Sequence, residues 1–328
     1  MLRGRLSTVW PLLALLTASL AGCGSEPHAD GEPASTPPAA SKTFSGQYPI
    51  KIVCTTGQVA DMLRNIGGEH VEVTALMGPG VDPHLYRESP SDIEKLSSAD
   101  AIFYNGVHLE GRMTDVFEKL SARRPTFAVT DGLVAAKDSR LRKPPEFEGY
   151  YDPHVWHDPK IWSDCVRYVA TKLSELDPAH RDDYAANSAA YEKQLADLDT
   201  ECRAKLAEIP KPQRVLVTAH DAFGYFCITY DIESMPLGGV TTEEEVSIGR
   251  MDEVINFIVD RKVKAVFVES AVAPRIVEAL IEPCRKKGHD VQIGGQLYAD
   301  ALGAAGTPDA TYIGMIRANV ETIVKALK

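Results

Sequence analysis

Two short stretches of the chain, VDPHLY at residues 81–86 and YDPHVW at 151–156, share one frame: Asp-Pro-His, an aliphatic residue, then an aromatic one. The histidines they present, His84 and His154, stand 70 residues apart. Proline fixes its own φ and pushes the residue before it out of the helical region, so a turn alone accounts for one such phrase. The same phrase written twice around an imidazole raises a second reading, in which the turns aim metal ligands. Two further residues join these histidines: His220 in VTAHDAFGYF and Asp300 in IGGQLYADALG. Three nitrogens and one carboxylate oxygen suit a first-row divalent cation, Zn²⁺ most typically and Mn²⁺ as the alternative.

The elements that must position these residues follow from the pattern around them. Short β-rich runs are expected at 50–54, 71–76, 101–104 and 126–129, and a second series at 214–218, 232–235, 265–269 and 290–293. Helical stretches lie between most of them, so the fold class is α/β, with two βα lobes and mostly parallel sheets. Between the lobes, residues 179–209 hold no internal Pro or Gly, and Tyr184, Tyr191, Leu195, Leu198, Cys202 and Ile209 form one helical stripe. A single long helix is expected there, bridging an N-terminal lobe at 48–178 and a C-terminal lobe at 210–328. His84 then follows the second strand and His154 the fourth; His220 and Asp300 follow the first and fourth strands of the second lobe. Ligands of open α/β sheets bind beyond the carboxyl ends of strands, so the four converge if the lobes face each other. A Ser-Pro-Ser-Asp helix start at 89–92 and Asp158-Pro159 clamp the two Asp-Pro-His loops shortly after their histidines.

The amino terminus bears on compartment. Arg3 and Arg5 precede an apolar run at 9–20, too short to cross a bilayer, and then comes Leu20-Ala21-Gly22-Cys23. This reads as a signal peptide over 1–22, and the sequence before Cys23 resembles a bacterial lipobox, which implies cleavage there and lipidation of the Cys23 thiol. Residues 24–47 contain four Pro, three Gly and four Ser, too little apolar surface to offset the entropy of ordering, so 23–47 is expected to be a disordered tether. The body is expected outside the cytoplasm, held to a bacterial membrane only through lipid. A formal charge of −11 argues against nucleic acid or anionic lipid as partners. Beyond Cys23, five scattered cysteines do not read as a disulfide framework, and Cys54 reads as a small core residue.

The motifs GVDPHLYRESPSD, YNGVHLEGRM, YYDPHVW, TAHDAFGYF, FVESAVAP and IGGQLYADALG together resemble the metal-binding lipoproteins of bacterial ABC importers for zinc and manganese, the treponemal type above all. The resemblance covers about residues 50–328. It implies a solute-binding lipoprotein, not an enzyme, that holds Zn²⁺ or Mn²⁺ between two lobes and passes it to a membrane permease driven by an ATPase. It also implies a monomer, with metal ligands His84, His154, His220 and Asp300. The chain departs from the family in having His157 where Leu is frequent, and that side chain is expected to be solvated. His108 and Glu110 are expected to pack or cap, and Glu243–Glu245 to form a solvated face. A His-rich tract, carried by many dedicated zinc binders of the family, is absent between Asp131 and Tyr151, which weighs against strict zinc selectivity. Two rival classes rank below transport binding: a zinc hydrolase, for which no His-Glu-x-x-His helix and no base beside the ligands is visible, and a surface adhesin, which the lipid anchor permits.

Overall fold

The computed structural model describes residues 43–328 apart from Glu146 and Glu148. The signal peptide, Cys23 and most of the expected tether lie outside the described residues. The first lobe is built on four parallel strands, β1 (Ile50–Cys54), β2 (Val71–Ala75), β3 (Ala101–Tyr104) and β4 (Thr126–Ala128), in the order β2-β1-β3-β4. The second lobe holds β5 (Val215–Thr218), β6 (Glu233–Pro236), β7 (Ala265–Glu269) and β8 (Gln292–Leu297). These pair in parallel as β5–β6 and β7–β8, with β5 and β7 running side by side. In β1, β3 and β5 nearly every residue is buried, as expected of strands covered on both faces by helices.

Strand β8 departs from the sequence expectation, which stopped it at residue 293. It runs through Gly294-Gly295 to Leu297. A Cβ on Gly294 would lie 2.7 Å from the Phe267 ring and 2.8 Å from the Ala326 methyl, and Gly295 sits at φ 140° beside the register shift between Val266 and Phe267. The glycines here are close-approach points within a bulged strand, not its end.

One helix, Arg181–Leu206, spans 26 residues, roughly 40 Å at 1.5 Å per residue. A 3₁₀ turn at Pro178–His180 precedes it, so the helix is a little shorter than the uninterrupted stretch the sequence suggested. Its buried positions include Tyr184, Tyr191, Leu195, Leu198, Cys202 and Leu206. It packs against Gly57–Gly67 and Pro159–Leu176 of the first lobe and against Tyr312–Leu327 of the second. Two buried phenols add ties: Tyr191 donates to Asp61 at 3.0 Å, and Tyr312 donates to the carbonyl of Trp156, in the 3₁₀ turn Val155–His157, at 2.8 Å. A single apolar core runs from β1 through this helix to Tyr312–Leu327, so the lobes are joined by packing as well as by chain. The five described cysteines, Cys54, Cys165, Cys202, Cys227 and Cys284, are buried and free.

Candidate metal centre

The repeated Asp-Pro-His phrase is a repeated turn. Asp82 Oδ1 accepts from the His84 amide at 2.9 Å, and Asp152 Oδ1 accepts from the His154 amide at 2.9 Å. Each aspartate thus closes a local turn two residues wide, with proline stiffening its centre. Helix starts then fix the exits. Ser89 and Asp92 form a reciprocal capping box, and Asp158 accepts from the Lys160 amide at 2.7 Å ahead of Pro159.

The four residues singled out by the sequence, His84, His154, His220 and Asp300, meet at one point. Each offers an atom within 4.8 Å of the others, and each is buried. The three imidazole centroids form a near-equal triangle with sides of 5.2, 5.4 and 5.7 Å. His84 Nε2 lies 3.3 Å from His154 Nε2. His154 Nε2 lies 3.3 Å from Asp300 Oδ1, and His220 Nε2 lies 3.3 Å from Asp300 Oδ2. A tetrahedron with metal bonds of about 2.0–2.1 Å has edges of roughly 3.3 Å, so the His84–His154 separation and one Asp300 oxygen's separation from its facing imidazole already match edges of such a shell. His220 Nε2 and both carboxylate oxygens of Asp300 are buried without a hydrogen-bond partner. Buried polar atoms are ordinarily satisfied, and an exception that converges on three imidazoles fits a cation.

Carboxylates behind the ring orient two of the imidazoles. Asp152 Oδ1 accepts from His154 Nδ1 at 2.8 Å, and Glu269 Oε2 accepts from His220 Nδ1 at 2.6 Å. Glu269 Oε1 also accepts the amides of Ala219 at 2.7 Å and His220 at 3.1 Å. With Nδ1–H engaged in this way, Nε2 of each ring carries the lone pair toward the cluster. Asp152 is in turn paired with Arg142, whose Nη2 reaches Asp221 Oδ2 of the second lobe at 3.0 Å. Sequence reasoning assigned no role to Asp152 or Glu269. Asp152 was visible as the aspartate of the repeated phrase, whereas Glu269 ends β7 and meets His220 only through the pairing of distant strands.

Charge and burial divide the imidazoles. Burial pushes His84 down to about 3, so it stays neutral. Burial pulls the same way on His154, but the Asp152 and Asp300 carboxylates outweigh it and raise that ring to about 9. His220 is likewise buried, yet Glu269 and Asp300 raise it well above its ordinary value. Burial would raise Asp300, and the facing His220 and His154 charges instead hold it well below the usual carboxylate range. The facing carboxylates thus bias both rings toward the cationic form.

His157 corrects the sequence expectation. It is fully buried, with Nε2 donating to the Ala299 carbonyl at 3.0 Å. His108 stacks on Tyr150, and Glu110 accepts from the amides of Asn105 and Gly106 and from the Thr55 hydroxyl, as a packing and capping pair. Of the acidic run, Glu243 reaches across the cleft rim to Arg112 at 2.8 Å. Beside it, the Thr242 hydroxyl donates to Asp82 Oδ2 at 2.5 Å.

Comparison with known proteins gives a consistent result. Residues 52–326 match the family described as zinc-uptake complex component A, periplasmic. The chain is 41% identical over 313 residues to the manganese-binding lipoprotein MntA of Bacillus subtilis, covering 95% of this chain and 96% of that one. It is 45% identical over 276 residues to the zinc-binding protein TroA of Treponema pallidum, covering 84% and 88%. The solved structure of the periplasmic zinc-binding protein TroA from Treponema pallidum superposes with a TM-score of 0.81 at 44% identity, over 85% of this chain and 99% of that one.

Proposed function

The chain belongs to the family of zinc-uptake complex component A, and we propose that it captures Zn²⁺ or Mn²⁺ with His84, His154, His220 and Asp300. Like its family it is an extracytoplasmic substrate-binding protein of an ABC importer, not an enzyme, and it works with a permease and an ATPase. The observation that carries the ligand assignment is the buried convergence of three imidazoles and one carboxylate with unpartnered polar atoms. In this reading 48–178 and 210–328 are the two lobes, 179–209 is the bridge, and each lobe contributes two ligands, so neither half alone closes the shell.

The relatives bind different metals by name, zinc for TroA and manganese for MntA, and this donor set discriminates by chemistry. Three nitrogens favour Zn²⁺ over the harder Mn²⁺ at equal availability. Protein purified without chelators, stripped and then titrated competitively with both ions, is expected to bind one ion per chain and to prefer Zn²⁺. Failure to bind either ion stoichiometrically would remove the assignment.

The remaining features complete the reading. Residues 1–22 act as a signal peptide, Cys23 carries the lipid, residues 23–47 tether a monomeric body, and no other part touches the membrane. Among the described residues no helix is long and apolar enough to cross one. A Cys23→Ser chain expressed with labelled fatty acid should incorporate none, whereas the parent chain should label. Label in the variant would refute the anchor.

A further inference from the structure

The capture reading leaves one buried polar side chain at the centre without a task. His157 lies three residues after His154, in the 3₁₀ turn Val155–His157. A 3₁₀ turn has three residues per turn, which brings position 157 back under position 154. The imidazole therefore points into the seam between the lobes. Its Nε2–H donates to the Ala299 carbonyl at 3.0 Å, and the indole Nε1–H of Trp156 donates to the same carbonyl at 2.9 Å. Two donors from one lobe thus use both lone pairs of one carbonyl on the other. On its other side the His157 ring lies 4.5 Å from the Phe223 ring, centroid to centroid.

These two contacts have one thing in common. Ala299 immediately precedes Asp300, and Phe223 lies three residues beyond His220. A single side chain from the first lobe, placed just after His154, bonds the segment carrying one second-lobe ligand and packs on the segment carrying the other. Packing alone does not explain the choice of histidine. With Nε2–H donating, Nδ1 is a bare acceptor, and it is buried without a partner. A phenylalanine would fill the space without leaving that nitrogen unsatisfied, so the polar ring offers one advantage only, the Nε2–H bond.

We propose that His157 is a positioning residue that latches the second-lobe segments bearing Asp300 and His220 into ligating register and so slows metal release. The proposal rests on the assignment of those two residues as ligands. A ligand shell tolerates displacements of only about 0.5 Å before geometry degrades. Loss of one of the two donors to Ala299 should let the Asp300 carboxylate drift without unfolding the seam, because Trp156 and the core contacts remain.

The test uses the full-length chain with His157→Phe and His157→Gln. Release of Zn²⁺ into excess chelator gives the off-rate, and the visible absorption of the Co²⁺-loaded protein reports ligand geometry. His157→Phe should release Zn²⁺ about tenfold faster, within the range typical of lost outer-shell partners, and should shift the Co²⁺ bands. His157→Gln, whose Nε2 can take the place of the imidazole donor, should stay within about twofold of the parent on both readouts. Parent-like release and spectrum in His157→Phe would overturn the latch, as would a Gln variant as fast as the Phe variant. A Co²⁺ spectrum that survives Asp300→Ala unchanged would instead overturn the ligand assignment itself, so the two failures are told apart.

Discussion

Asp300→Ala lowers Zn²⁺ affinity by at least about a thousandfold, equivalent to roughly 4 kcal/mol at 1.4 kcal/mol per decade. The expectation follows from what the residue supplies. It is the only anionic member of the four, and it presents one oxygen toward His154 and the other toward His220, each at 3.3 Å. Loss of a hydrogen-bonded partner behind a ligand costs about 10–100-fold, and loss of the ligand itself must cost more. Alanine also leaves three imidazoles around a coordination position open to water, the arrangement of a catalytic site and not of a closed one. The centre carries further buried carboxylates in Asp152 and Glu269, so electrostatic attraction persists and some binding should remain. Competition against a chelator of known affinity measures the difference, with Glu243→Ala on the cleft rim as the control. An affinity within about tenfold of the parent would place the metal elsewhere.

What could be read from the sequence and what could not divide along physical lines. His84 and His154 were legible because an Asp-Pro-His turn imposes its own backbone geometry, so the phrase means the same thing wherever it is written. His220 and Asp300 were legible by position, since strand ends are where an open α/β sheet presents side chains. His157, expected to be solvated because four other residues already complete a closed site, is buried because the local helix type turns it inward. In an extended loop a residue three beyond a ligand can face water, but in the 3₁₀ turn Val155–His157 it faces the same way as the ligand. Glu269 went unassigned because its partner His220 is 49 residues away, in the loop after the neighbouring strand β5, and no local pattern announces that pairing. The end of β8 was misjudged for a related reason. Gly294 and Gly295 look like a break in one dimension, whereas Phe267, Ala326 and Thr322 crowd them in three.

The same distant contacts bear on how the centre opens. Several links cross the seam close to the ligands, among them Trp156 and His157 to Ala299, Arg142 to Asp221, Thr242 to Asp82 and Tyr225 to the Asp152 carbonyl. Each touches a residue adjacent to, or two away from, a proposed ligand. The core beneath them is continuous through the helix Arg181–Leu206, and a straight helix bends sharply only at Pro, Gly or an inserted side chain. Release of the ion is therefore better served by loosening these loops than by swinging the lobes apart.

Protons compete with the metal for the same atoms, and this gives the second large effect. Binding requires a free lone pair on Nε2 of every imidazole. His84 is already neutral, since burial holds it at about 3, so it contributes no proton. His154, held at about 9 despite its burial by Asp152 and Asp300, is protonated in the metal-free chain at neutral pH. His220 is raised in the same direction by Glu269 and Asp300. Metal entry must therefore expel about two protons, and the logarithm of affinity should rise by about two for each pH unit below the raised values. Between pH 6 and 8 the Zn²⁺ affinity is expected to climb by up to about ten-thousandfold. Stability of the metal-free chain carries the opposite sign. A raised value in the folded state means that His154 contributes stability in full below its unfolded value of about 6.5, and that this contribution is lost as pH rises through about 9. Over that range the advantage of the metal-bound chain over the metal-free one widens. Competitive titration at pH 6, 7 and 8 reads the slope, and calorimetry in buffers of different ionisation enthalpy counts the protons. A slope near zero with no buffer dependence would mean that His154 and His220 are neutral before the metal arrives. The carboxylates behind them would then serve only to orient the rings.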